Sequence, residues 1–343
     1  MFSPSSAIMP HLVERISDES LTQIMILITG ATGFIGRHVV QSLMELGLPT
    51  RCLLPDHKAD DLPWDSDHAA APEIVIGNVL DEETVFQAVT GVHTIIHLAS
   101  AQWWGTARNL ERIDLSGTQT LITVARSARV GRLIYLSQLG ASPSSAYTLH
   151  RIKGQVEDVV RNSGLAYTII RSGVVFGEGD AFINHIAMML QSNPLIHLMP
   201  GEGETVLHPI YIDDLVRCIT LSLESLNAVD NTLEVGGAEY ITYEDLLLTV
   251  MRVTGNLRLI IPLPPYVMRP LSRFFSLILP RSMMTPQWLD ILATNRTTKL
   301  GNVYEYFGFQ PRRLEDTLLT YMPQRNHFVK LVQNTFRRRP RSL

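Results

Sequence analysis

Ile24-Met25-Ile26-Leu27-Ile28-Thr29-Gly30-Ala31-Thr32-Gly33-Phe34-Ile35-Gly36 decides the fold. Its apolar opening run has the length and character of a strand buried on both faces, as a parallel sheet requires. Three glycines follow, and Arg37 to Leu46 carries the spacing of a helix that stops at Gly47. Between a strand and a helix each glycine has its own task. Gly30 permits the tight turn, Gly33 lets backbone approach a pyrophosphate, and Gly36 lets the helix lie close on the sheet. The helix N-terminus adds free N–H groups and a partial positive charge. Gly30, Thr32, Gly33, Phe34, Ile35, Gly36 and Arg37 are therefore the first candidate cofactor contacts.

The rest of the chain fits this start. Strand-like runs at Thr50–Leu54, Ile74–Ile76, Thr94–Leu98, Leu133–Leu136 and Tyr167–Ile170 alternate with helical patterns at 82–89, 110–129 and 152–161. Alternation of this kind predicts an α/β fold, a doubly wound parallel sheet with right-handed crossovers. After Gly177 the alternation loosens. A helix is expected near 181–190, a strand at Thr232–Val235, and a helix at Tyr243–Thr254 capped by Thr242 with Asp245. The expected organisation is a flexible extension over 1–23, a nucleotide-binding core over 24–177, a smaller C-terminal α/β substrate or docking domain over 178–322 with interleaved core elements, and a basic tail over 323–343.

At 343 residues, 45% hydrophobic and 18% charged, the chain can bury a large core. A formal charge of −4 argues against nucleic acid as a partner. Two cysteines, Cys52 and Cys218, imply no disulfide framework and a reducing compartment. No run is long and apolar enough to span a bilayer, and the first residues lack the pattern of a secretory signal. The 11 histidines show no metal-ligand spacing, so no metal site is expected.

From Met25 to about residue 325 the chain resembles the atypical and extended short-chain dehydrogenase/reductases. Within them it is most similar to the group of the nucleotide-binding accessory subunit of respiratory complex I and its bacterial relatives. The phrases that carry the resemblance are Gly30–Arg37, Gly77-Asn78-Val79-Leu80-Asp81, Val92–Ala99, Leu136–Ala141, Thr168–Gly177 and His208–Leu215, in that order, with the proline-rich region 259–279 behind them. The resemblance implies a Rossmann fold that binds NAD(P). It places Asn78 and Val79 at the adenine, Ala99 and Ser100 at the inner ribose, Ser137 on the nicotinamide side and Lys153 on the nicotinamide ribose. Arg171 and Ser172 complete the implied cofactor set.

One departure matters for chemistry. Catalytic members of this superfamily carry a Tyr four residues before the Lys, on the same helix face, as proton donor. Four before Lys153 stands Leu149. Tyr147 is displaced to six before it, about 240° around a helix. Lys153, Tyr147 and Ser137 are thus the candidate catalytic residues of a chain expected to turn over weakly or not at all. The rival expectation is a working oxidoreductase or epimerase on a carbonyl or hydroxyl compound, with a lipid- or quinone-like substrate as a variant.

The cofactor form stays open. Arg37, Arg51 and Lys58 favour the 2′-phosphate of NADP(H) slightly, whereas Asp56 near the end of the second strand suits the ribose hydroxyl of NAD(H). His208, Tyr211, Asp213 and Asp214 either close the substrate side or simply start a helix, with Asp213 as its cap. Trp103 and Trp104 either wall a cleft or pack against a neighbouring helix.

The region 267–279 places Met268, Leu271, Phe275 and Ile278 on one helical face, and Arg269, Ser272, Arg273 and Ser276 largely opposite. The tail adds Arg325, Lys330, Arg337, Arg338, Arg339 and Arg341 without an acid. Together 267–279 and 323–343 suggest docking to a membrane surface or a membrane-protein complex. The expected location is the cytoplasm, with a peripheral place at the inner face of a membrane as the variant that docking implies.

Overall fold

The computed structural model describes residues 24–59, 61–103, 106–278 and 282–323. The expected extension, Trp104 and the basic tail beyond residue 323 lie outside the described residues.

In chain order the first half comprises β1 (Ile26–Thr29), α1 (Phe34–Glu45), β2 (Thr50–Leu54), β3 (Glu73–Ile76), α2 (Glu82–Val89) and β4 (Thr94–His97). Next, α3 (Ala107–Leu110) runs through a π-helical segment (Glu111–Ser116) into α4 (Gly117–Ser127). Then follow β5 (Arg132–Gln138), α5 (Thr148–Arg161) and β6 (Ala166–Ser172). The single helix expected over 110–129 therefore changes pitch within its length.

Six of these strands and Asn231–Val235 form one seven-stranded parallel sheet. Its order is Asn231–Val235, β6, β5, β4, β1, β2, β3. The chain leaves β1 toward β2 and β3, then crosses to the other side for β4, which makes the β1/β4 junction the switch point where ligands enter such sheets. Alternation along each strand feeds two cores. Leu27, Ile95, Leu133 and Ile169 pack into one, and Ile28, Ile96, Ile134 and Ile170 into the other. This is the doubly wound α/β fold that the sequence predicts.

The chain beyond Gly177 is not a separate layer. It returns Asn231–Val235 to the sheet beside β6, and helix Ile212–Glu224 packs against α1. Three short strand pairs build the remainder, the longest joining Ile196–Pro200 to Leu259–Leu263 in parallel. Thr242 caps helix Tyr243–Thr254 by accepting from Asp245 N, as expected. Asp213 does not cap its helix: Tyr211 occupies that position, and Asp213 pairs with Arg312.

Helix Pro265–Ile278 forms, with Pro270 inside it, but its faces differ from the expected division. Ser272 is buried beside Met268, while Phe274 and Phe275 are 56% and 41% exposed. The buried stripe follows Met268 and Ser272 at i, i+4 spacing, so Phe275 turns outward with Tyr266 and Val267. No helix among the described residues is long and apolar enough to cross a membrane.

Candidate functional site

The glycine turn is built as its spacing requires. Gly30 sits at φ 75°, and a Cβ there would run into the backbone of Leu98 and Ala99 at the end of β4. A Cβ on Gly36 would collide with the Gly30 carbonyl oxygen, so only glycine allows α1 to start this close to β1. Gly33 is the exposed N-cap residue and brings no side-chain acceptor to the helix. The first N–H groups of α1 are left for an anion.

This turn borders a cavity of about 160 Å³ that runs along the C-terminal ends of β1, β4, β5 and β6. Of the candidate site residues, Gly30, Gly33, Phe34, Ile35, Gly36, Ser100, Ser137, Lys153 and Ser172 line it. Trp103 also lines it and so walls the cleft. Thr32, Arg37, Asn78, Val79, Ala99, Arg171 and Tyr147 do not.

The reasons are local. Arg37 donates to the Glu178 carbonyl at 2.7 Å and lies over the Phe34 ring, half buried, which lowers its pKa. Asn78 accepts from Leu80 N at 2.8 Å, and Val79 is buried against Gly117. Arg171 donates two bonds to the buried Glu157, at 2.9 and 2.6 Å, and one to Glu234. That pairing corrects its expected place in the cofactor set: its guanidinium is held in an ion cluster with Arg161. Arg51 is likewise corrected. It pairs with Glu73 and caps carbonyls of Ala88 and Thr90, on register positions at the start of β2 and β3, the wrong end of the sheet for a 2′-phosphate.

Lys153 is fixed more tightly than its sequence position suggests. Its Nζ lies 3.0 Å from Asp114 Oδ1, both side chains being buried. Asp114 also accepts from Ser100 Oγ at 2.7 Å and from Ala101 N at 2.9 Å. The Nζ sits 5.4 Å from the centre of the Tyr135 ring. Burial by itself would lower the pKa of this ammonium, but Asp114 raises it further, and the net shift is upward. Asp114, supplied by the π-helical segment, is a site residue that the sequence alone does not single out, as are Gln138 and Arg296 of the cleft lining. A helix with one widened turn places a side chain that no regular period places.

Next to this pair, His97 links Thr29 Oγ1 at 2.6 Å to Thr118 Oγ1 at 2.9 Å. Full burial, with the Lys153 charge nearby, pushes its pKa down to about 3, so it is neutral. Ser137 lines the cleft, but its hydroxyl donates to Glu157 Oε1 at 2.6 Å.

Tyr147 is the N-cap residue of α5 rather than a member of its helical face. The Arg269 guanidinium lies 5.3 Å over its ring. Leu149 fills the four-before position and is completely buried, its N–H donating to Asp290. His208 is buried and bonded to the Gly237 carbonyl at 2.8 Å, and neither it, Tyr211, Asp213 nor Asp214 borders the cleft.

A parallel sheet with a glycine turn at its switch point, a helix N-terminus over the cleft and a buried lysine beside it define a dinucleotide-binding protein of Rossmann type. Residues 26–236 match the NAD dependent epimerase/dehydratase family, and the chain belongs to that family. It is 27% identical over 277 residues to rat mitochondrial NADH dehydrogenase (ubiquinone) 1 alpha subcomplex subunit 9, spanning 79% of this chain and 71% of that one. It is 24% identical over 315 residues to the photosystem II assembly factor Ycf39 of Synechocystis, spanning 90% and 92%. Among solved structures it resembles an NADPH-dependent quinone oxidoreductase of Escherichia coli bound to NADPH, with TM-score 0.69, 19% identity, and 86% and 98% coverage. It also resembles a UDP-glucose 4-epimerase of Thermotoga maritima, with TM-score 0.67, 20% identity, and 90% and 100% coverage. The identities to these structures establish the shared fold alone.

Proposed function

We propose that the chain is an accessory protein that holds NAD(P)(H) in this cleft without running the tyrosine–lysine proton relay, and that docks to a membrane-associated assembly. The observation that carries this reading is the pair of positions on α5. Leu149 occupies the donor position in the core, and Lys153 is neutralised by Asp114. A general acid must reach the substrate oxygen at about 3 Å, and Tyr147 stands outside the cavity lining. In this reading Gly30, Gly33, Phe34, Ile35 and Gly36 hold the pyrophosphate. Ser100, Ser137, Lys153 and Ser172 line the ribose and nicotinamide end. The cofactor stabilises the fold by mass action rather than by reacting.

The relatives support the docking half. One is named as a subunit of NADH dehydrogenase and another as an assembly factor of photosystem II. The exposed Tyr266, Phe274 and Phe275 on helix Pro265–Ile278, with the basic segment 323–343, are the surfaces we assign to it. With Arg51 paired to Glu73 and Arg37 held on the Glu178 carbonyl, the slight preference for NADP(H) rests on Lys58.

The test is the protein as purified, analysed by mass and fluorescence for retained nucleotide and then titrated with oxidised and reduced NAD and NADP. Retained reduced cofactor that a panel of carbonyl substrates leaves unoxidised is the expected result. Weak, exchangeable binding with consumption by a substrate would reinstate an oxidoreductase or epimerase.

A further inference from the structure

Two cations border the cleft, Lys153 and Arg296. They are not equivalent. Lys153 has a carboxylate at 3.0 Å. Arg296 is 3% exposed, and its Nε and Nη2 make no hydrogen bond among the described residues. The carboxylate nearest in charge is that of Asp290, which is already taken by Arg269 at 3.0 Å and by Leu149 N at 3.2 Å. His150 beside it faces two carbonyls, Gly140 O and Asp290 O, with its pKa lowered chiefly by burial and further by Arg296. Asp290 offsets the guanidinium in part through space, and no carboxylate is hydrogen-bonded to its Nε or Nη2 among the described residues. Burial lowers the pKa of Arg296 to about 9, which still leaves it charged at neutral pH.

A second side chain at the same end is unsatisfied as well. Gln138, at the last position of β5, is buried, lines the cleft, and has neither Oε1 nor Nε2 hydrogen-bonded. An unpaired buried amide costs stability, and an unpaired buried cation costs more. Two such groups from separate parts of the chain line one cavity.

The site does not belong to the pyrophosphate. The glycine turn is on β1, whereas Gln138 ends β5, two strands away in the sheet. A dinucleotide whose phosphates sit at α1 therefore places its nicotinamide toward Gln138 and Arg296. The neighbouring lining is apolar, with Leu136, Val174 and Ile291.

We propose that this end of the cleft binds the carboxylate of a small organic acid, with the Arg296 guanidinium as its counter-charge and the Gln138 amide as a further donor. Guanidinium and carboxylate match in charge and planarity, and the apolar wall suits a carbon skeleton rather than an inorganic ion. The position of the acid beside the nicotinamide rests on the cofactor reading above. The anion site itself does not.

The experiment is calorimetric titration of the full chain with acetate, butyrate, 2-oxobutyrate and inorganic phosphate, with and without saturating NADH or NADPH. At least one carboxylate binds the unmodified protein. Arg296→Met weakens it by about tenfold or more, the loss expected of a charged hydrogen bond, and Gln138→Leu by a smaller factor. Dinucleotide affinity stays within about threefold in both variants. Thermal denaturation of ligand-free Arg296→Met gives a midpoint equal to or above that of the parent, because an unpaired buried charge has been removed. The proposal is overturned if none of the three carboxylates binds, if phosphate binds and they do not, or if Arg296→Met loses the dinucleotide instead. Carboxylate binding without any nucleotide binding would uphold the anion site and sink the cofactor reading alone.

Discussion

Lys153 Nζ and Asp114 Oδ1 lie 3.0 Å apart with both side chains out of solvent. A buried pair of this kind adds little net stability over an apolar pair, yet removing one partner is expensive. Asp114→Asn leaves the ammonium without its charge partner, and we expect a loss of about 3–5 kcal/mol in urea denaturation. The raised pKa of Lys153 gives a second readout. Its contribution is complete below the unfolded lysine value of about 10.5 and is lost as pH rises beyond that, toward the higher folded value. The parent should therefore weaken in strong alkali more steeply than a Lys153→Met variant.

His97 sets the acid side. Its folded pKa of about 3 means that the unfolded chain takes up a proton on this residue below the ordinary histidine value and the folded chain does not. Stability from His97 is present above about pH 6.5 and falls by about 1.4 kcal/mol per pH unit as pH drops toward 3. His197, pushed down to about 4 by burial, acts in the same direction. Asp180, raised to about 6 by burial, opposes them by favouring the folded state as pH falls below 6. Replacing His97 with Gln should reduce the slope of stability against pH between 4 and 6 by about one proton. An unchanged slope would mean that His97 is protonated in the fold.

Gly33 and Gly36 should separate binding from folding. A methyl group on Gly33 meets only the Gly30 oxygen, at 3.2 Å, and Gly33 borders the cleft. Gly33→Ala should keep stability within about 1 kcal/mol and weaken dinucleotide binding by roughly tenfold, as a blocked phosphate approach would. Gly36→Ala pushes α1 off β1 and should cost about 1–3 kcal/mol as an overpacking change. Thermal denaturation and fluorescence titration of the two variants check this contrast.

Phe274→Ser with Phe275→Ser addresses docking. Both rings are exposed, so stability should shift by no more than about 0.5 kcal/mol each. Co-sedimentation with membranes or with a partner complex should drop several-fold, as should that of a chain ending at Met322. Unchanged sedimentation in both would remove these surfaces from the docking reading.

The sheet and the phosphate turn were legible because they rest on local rules. A short apolar run bounded by glycines has few alternatives, and Gly30 and Gly36 make the tight turn and the close helix–sheet contact that their spacing implies. The lysine was legible too. Its partner was not, because Asp114 reaches it through a π-helical segment that shifts the phase of the helix. Arg51 and Arg171 look like free cations in a linear sequence, and only the parallel register reveals Glu73 opposite one and Glu234 opposite the other. Helix Pro265–Ile278 was placed correctly, but its rotation was not. Ser272 reads as polar, and its hydroxyl finds the Arg269 carbonyl at 2.9 Å, which lets it be buried where the pattern expects solvent.

Asn231–Val235 pairs with β6 along its whole length, from Asn231 opposite Thr168 to Val235 opposite Ser172. A fragment stopped at Gly177 would keep every glycine of the phosphate turn, yet its β6 would present a bare row of backbone groups, a template for sticking to other chains. It would also lack Ile291 and Arg296 from one wall of the cleft. During synthesis, therefore, the pocket closes only after the last third of the polypeptide has emerged. The half of the chain that carries the glycine turn borrows a sheet neighbour and part of its cleft wall from residues beyond Gly177.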